Sequence, residues 1–106
     1  MTIELIKTIL EGVTGFTDKV AYLAFPENQA PMLPFICFFS PSETHFAADG
    51  IVYHAVPDIQ VELYAKDRDF TSESLIESAF TANGLYYEKE STYLEDEKCY
   101  ETIYSL

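Results

Sequence analysis

The stretch from Phe46 to Asp69, FAADGIVYHAVPDIQVELYAKDRD, constrains the fold of this chain more than any other. It holds a turn, a long run with strand character and the lead-in to a helix. Asp49-Gly50 is a turn signal. IVYHAV and DIQVELY then read as one long strand or two, divided at Pro57, which lacks a ladder donor and marks an edge position or a bulge. In the second half Ile59, Val61 and Leu63 point one way and Gln60, Glu62 and Tyr64 the other. That alternation predicts a sheet with one face on a core and one face wet. The rest of the chain must supply partner strands and a cover.

Residues 2–12 read as a helix, with Thr2 as N-cap and Glu4 in the first turn. Ile6, Ile9, Leu10 and Val13 follow helical spacing, with Ile3 and Leu5 beside them, and Gly12 and Gly15 end the run. VAYLAF (20–25) is a short strand. Pro26, Pro31 and Pro34 frame an irregular connection. PFICFF (34–39) is almost continuously apolar, the pattern of a central strand buried on both faces. After the charged turn AKDRDFTSES, Thr71 or Ser72 caps a helix over 72–83 whose apolar face is Leu75, Ile76, Ala79 and Phe80. Asn83-Gly84 ends it. Gly84 at C′ would set Leu85 against Phe80, the contact of a Schellman stop. LYYEK (85–89) and KCYETIYSL (98–106) are the last two strands, joined by the acidic ESTYLEDE. In the final strand Tyr100, Thr102 and Tyr104 share one face and Cys99, Glu101 and Ile103 the other. Either face could be the buried one.

The order is α-β-β-β-α-β-β. Loops rather than crossover helices join consecutive strands, so the expectation is an α+β fold: a mostly antiparallel sheet of about five strands with two helices on one face. Its 106 residues make one domain, and 48% apolar content is enough for a core. No repeat, low-complexity tract or second domain interrupts it.

Charge narrows function by exclusion. Eighteen acids against six bases give a formal charge of −12. Binding nucleic acid or an anionic membrane needs a basic patch, and six scattered bases do not make one. The surplus acid keeps the protein soluble or repels something. The N-terminal segment MTIELIKTILEG carries charges throughout and reads as neither a secretory leader nor a membrane span. Cys37 and Cys99, the only cysteines, read as free thiols in a reducing cytoplasm. Cys37 lies in an apolar run that suits a small core residue rather than a nucleophile. There is no phosphate-cradling glycine loop, nucleophile elbow or metal-spaced cysteine pair. His45 and His54 stand nine residues apart, and the carboxylate clusters at Asp67/Asp69 and Glu95–Glu97 read as solvated turns. No cofactor, metal or catalytic residue is expected.

The segment SPSETHFAADG (40–50) is too long for a tight hairpin. It reads as a projecting β-hairpin arm or a loop. Phe46 within it either folds back on the core or is held out as an aromatic anchor for a partner. Glu43, Thr44, His45, Phe46, Asp49 and Tyr53 are the candidate partner or subunit contacts. Eight Tyr and eight Phe suit surfaces that are apolar in the middle and wet at the rim, and equally suit strands in general.

The run KVAYLAFPENQAPMLPFICFF, then HFAADGIVYHAVPDIQVELYAKDRD, a short helix and GLYYEKESTYLEDEKCYETIYSL resembles the small neck and tail-completion proteins of long-tailed bacteriophages and prophages, of the tail-terminator and head–tail joining type. The resemblance covers almost the whole chain. Its most specific pieces are Phe46-Ala47-Ala48-Asp49-Gly50 with Val52-Tyr53, and Gln60-Val61-Glu62-Leu63-Tyr64. It implies a structural protein of the virion, made in the bacterial cytoplasm. Such proteins use no cofactor and assemble, typically as hexamers, into a ring that caps the tail tube and joins it to the head connector. Segment 40–50 takes the place of the projecting loop that reaches neighbours or the lumen. DNA carries about one charge per 1.7 Å of axis, so a channel lined by carboxylates repels it within about 8 Å at physiological salt. The rival reading is an acidic nucleic-acid mimic that blocks a host DNA-binding protein. It requires carboxylates arrayed along one face at near-phosphate spacing.

Overall fold

A computed structural model describes residues 3–26, 29–40 and 58–106. Among the described residues seven elements run α1 (Ile3–Glu11), β1 (Val20–Tyr22), β2 (Phe35–Phe39), β3 (Gln60–Ala65), α2 (Phe70–Ala82), β4 (Glu88–Leu94) and β5 (Cys99–Ser105). The five strands form one sheet in the order β1-β2-β3-β5-β4. The class is α+β, in the expected order of elements.

The sheet is mixed, which corrects the expectation of a mostly antiparallel one. β2–β3, β3–β5 and β5–β4 are antiparallel, but β1 runs parallel to β2, with Val20 opposite Ile36 and Tyr22 opposite Phe38. The cause is the connection between them. A tight turn can only reverse a strand, whereas this proline-framed segment is long enough to return to the end where β1 began. β1 also stops at Tyr22, short of the expected residue 25. Leu23 takes a left-handed backbone (φ 67°) and donates its N–H to the Phe38 carbonyl at 2.8 Å.

One face of the sheet carries the core. Val61 and Leu63 of β3 lie between Phe38 and Ile36 of β2 and Tyr104 and Thr102 of β5. Ile6 and Leu10 of α1 and Ile76 and Phe80 of α2 close over them, joined by Val13, Phe16, Val20 and Ile59. Both helices therefore cover one face, and Thr102 and Tyr104 point into it. β2 is buried on both faces at Ile36, Cys37 and Phe38, as an apolar run requires.

The bounds of α2 differ from expectation at its start and match at its end. Asp69, not Thr71 or Ser72, is the N-cap: its carboxylate accepts from the Ser72 N–H at 3.0 Å and the Ser72 hydroxyl at 2.7 Å. Capping by Asp frees Phe70 and Thr71 to be helical. At the other end Gly84 (φ 69°) donates to Thr81, and Leu85 donates to the Phe80 carbonyl at 2.9 Å, the two bonds of a Schellman stop. Leu75, expected on the apolar face, is exposed, and Glu73 is buried in its stead.

β4 is a full seven-residue edge strand, not the short run 85–89, and only Glu95–Lys98 turn back to β5. An edge strand tolerates charged side chains that a central one would reject, so acidic composition hid its length.

Candidate functional site

On the face away from the helices, the register sets side chains in rows across the sheet. One row is Ala21, Cys37, Glu62, Ile103 and Glu90; the next is Phe35, Tyr64, Glu101 and Thr92; a third is Phe39, Gln60, Ser105 and Glu88. No described helix packs there. Phe25 turns back onto its margin, 5.3 Å from the Phe35 ring, which in turn lies 5.2 Å from Tyr64. Among these strand residues the charged ones are Glu62, Glu88, Glu90 and Glu101, and none is Lys or Arg.

Glu62 and Glu101 are the centre of this face. Tyr64 is directly opposite Glu101, and Glu62 is directly opposite Ile103, so the two glutamates are diagonal neighbours within reach of each other. Tyr64 donates its hydroxyl to Glu101 Oε2 at 2.8 Å. The Glu62 and Glu101 carboxyls stand beside each other on this face. Burial, followed by the Glu101 hydrogen bond and charge, pushes Glu62 up to about 7. Burial and then the same carboxylates push the Tyr64 phenol up. Cys37, beside Glu62, is pushed up to about 11 by burial and the Glu62 charge. Burial and the charges of Glu97 and Glu101 raise Cys99 as well. The face resists further negative charge, so both thiols stay protonated and unreactive at neutral pH. What it can do chemically is hold a proton and repel anions.

A second polar cluster holds α2 to the sheet. Glu73, 2% exposed, is paired with Arg68 at 3.2 Å and with Lys89 of β4 at 2.6 Å. Lys89 also pairs with Glu77 at 2.7 Å. Tyr104 and Tyr87 donate to the two Glu77 oxygens at 2.8 and 3.1 Å. Burial alone would raise Glu77, but Lys89 and the two phenols outweigh it and hold the carboxyl below its ordinary range. Every member has a partner, so this cluster reads as a fastening between helix and sheet.

The contact candidates named from sequence, Glu43, Thr44, His45, Phe46, Asp49 and Tyr53, and all of the projecting segment 40–50 after Ser40 lie outside the described residues. Their flanks are placed. β2 and β3 end their pairing at Phe39 opposite Gln60, so the connection leaves and returns at one end of the sheet. Leu23, 60% exposed, and Tyr86, 94% exposed, stand at that same end, after β1 and before β4. Sequence reasoning put Glu62 and Tyr64 on the wet face and grouped Glu101 with Ile103. It did not join them, because β3 and β5 are separated by α2 and β4 and only topology pairs them.

Among the described residues no group of three or more His, Cys, Asp or Glu side chains is placed to hold a metal ion, and no helix is long and apolar enough to cross a membrane. Comparison with protein-family models, curated proteins and solved structures finds no match to this chain.

Proposed function

We propose that this chain is a structural subunit of a long-tailed phage virion, a tail terminator or neck protein. It forms a ring, hexameric by family resemblance, that caps the tail tube and joins it to the head connector. Its partners are copies of itself, the tube protein and the connector, and it uses no cofactor. The observation that supports this reading best is the sheet face whose charged strand residues are Glu62, Glu88, Glu90 and Glu101. Turned toward a channel, it lets DNA slide by without being held. Among the described strands, β1 and β4 are the two edges of the sheet, at opposite sides. Distinct edges allow head-to-tail contacts, which close into a ring when the rotation permits.

Native mass measurement of the purified protein tests the assembly. The expected result is a discrete closed oligomer that does not retain duplex DNA. A protein that stays monomeric and binds a DNA-processing enzyme one to one would instead fit the nucleic-acid mimic.

A further inference from the structure

The open face also contains a device that the proposed assembly does not require. We propose that Glu62 and Glu101 form a proton switch: the pair holds one shared proton, and losing it puts a second negative charge at the centre of the face.

The geometry comes from strand pairing. β3 and β5 fix Glu62 and Glu101 as diagonal neighbours on one side of the sheet. Among the described residues facing the pair on these strands, none supplies a counter-charge. From β2 the group facing Glu62 is the Cys37 thiol, from β3 the Tyr64 phenol, and from β5 Glu101 itself with Cys99 two residues before it. From β4 the facing groups are Glu90 and Thr92, with Glu88 further along. All of the ionisable groups are neutral or negative when deprotonated; none is a cation. Tyr64 already donates to Glu101 Oε2. With Glu62 the diagonal neighbour of Glu101 on the same face, a proton held between the two carboxyls would remove their repulsion. Two carboxylates this close, part-buried, do not both ionise at ordinary carboxylate pH.

Burial and Glu101 together hold Glu62 at about 7, so the proton leaves across the neutral range. The surface charge at this point then changes from one to two. The effect is local and belongs to the folded state, because the pair separates when β3 and β5 unpair.

The test is a titration of the full chain carrying 13C-labelled glutamate carboxyls, followed by NMR. One step of the Glu62–Glu101 pair is expected near neutrality, with both carboxyl signals responding to it. In Glu101→Gln the Glu62 midpoint should fall by about one pH unit or more, since the shared proton and the neighbouring charge are both removed. In Tyr64→Phe the near-neutral step should persist, because the carboxyl–carboxyl contact remains. Both carboxyls titrating in the ordinary acid range in the unaltered protein would overturn the proposal. So would a Glu62 midpoint unmoved by Glu101→Gln. Neither result bears on ring assembly, which the mass measurement reads separately.

Discussion

Glu62 and Glu77 pull the pH dependence of stability in opposite directions. Glu62 titrates higher in the folded chain than a free carboxyl does, so its contribution is complete below an ordinary value of 4.5 and is lost as pH rises through about 7. Glu77 is held below its ordinary range, so its contribution is present above that range and is lost as pH falls through its folded value. The two contributions together should therefore peak near the ordinary carboxyl value, at about pH 4 to 5. Denaturant melts across pH would show this as a decline on both sides. Glu62→Gln should flatten the alkaline limb, raising stability at pH 8 by about 1 kcal/mol once solvent screening of a half-buried group is allowed for. An alkaline limb that stays as steep in the variant would contradict the assignment. Phe80, fully buried between Tyr87 and Tyr104, should behave as a core residue. Phe80→Ala should cost about 3–5 kcal/mol in the same melts.

At the scale of elements, α2 shows which rules are local. Its stop was legible because Asn83-Gly84-Leu85 and Phe80 sit within one turn, and the motif depends on little else. Its start was not, because Asp69, Thr71 and Ser72 are all good caps and residue type alone does not rank them. Leu75 and Glu73 exchange their expected places for a non-local reason. Lys89 arrives from β4 and Arg68 from the preceding turn, and together they make burial of Glu73 tolerable. β1 was misdirected because direction depends on how far its connection travels, which composition does not encode. The Glu62–Glu101 pair was invisible for a related reason: β3 pairs with a strand from which α2 and β4 separate it. Two substitutions test the ends of α2. Asp69→Ala should cost about 1 kcal/mol, the usual loss of an N-cap. Gly84→Ala should cost about 1–2 kcal/mol from backbone strain alone, because an added Cβ there meets nothing within 4 Å while φ stays at 69°. Equal stability of Gly84→Ala and the parent in chemical denaturation would show that the Schellman geometry is not held.

At the scale of the whole molecule, the charge of −12 must be reconciled with association between identical copies. Copies repel, so apolar and strand-edge contacts must outweigh the repulsion. Exposed Leu23 and Tyr86 offer apolar surface at the end of the sheet from which the β2–β3 connection leaves. Salt is the lever on the balance. Lowering ionic strength from about 0.15 M to 0.01 M lengthens screening from about 8 Å to 30 Å. Self-association followed by sedimentation should weaken over that range. Association that strengthens at low salt would mean that unlike charges, not apolar contacts, join the subunits.

The most direct measurement is electron imaging of the purified protein, alone and mixed with phage tail-tube protein. The account predicts closed rings around a channel, seated on the ends of tubes. A protein that remains single at high concentration and leaves tube ends bare would contradict it.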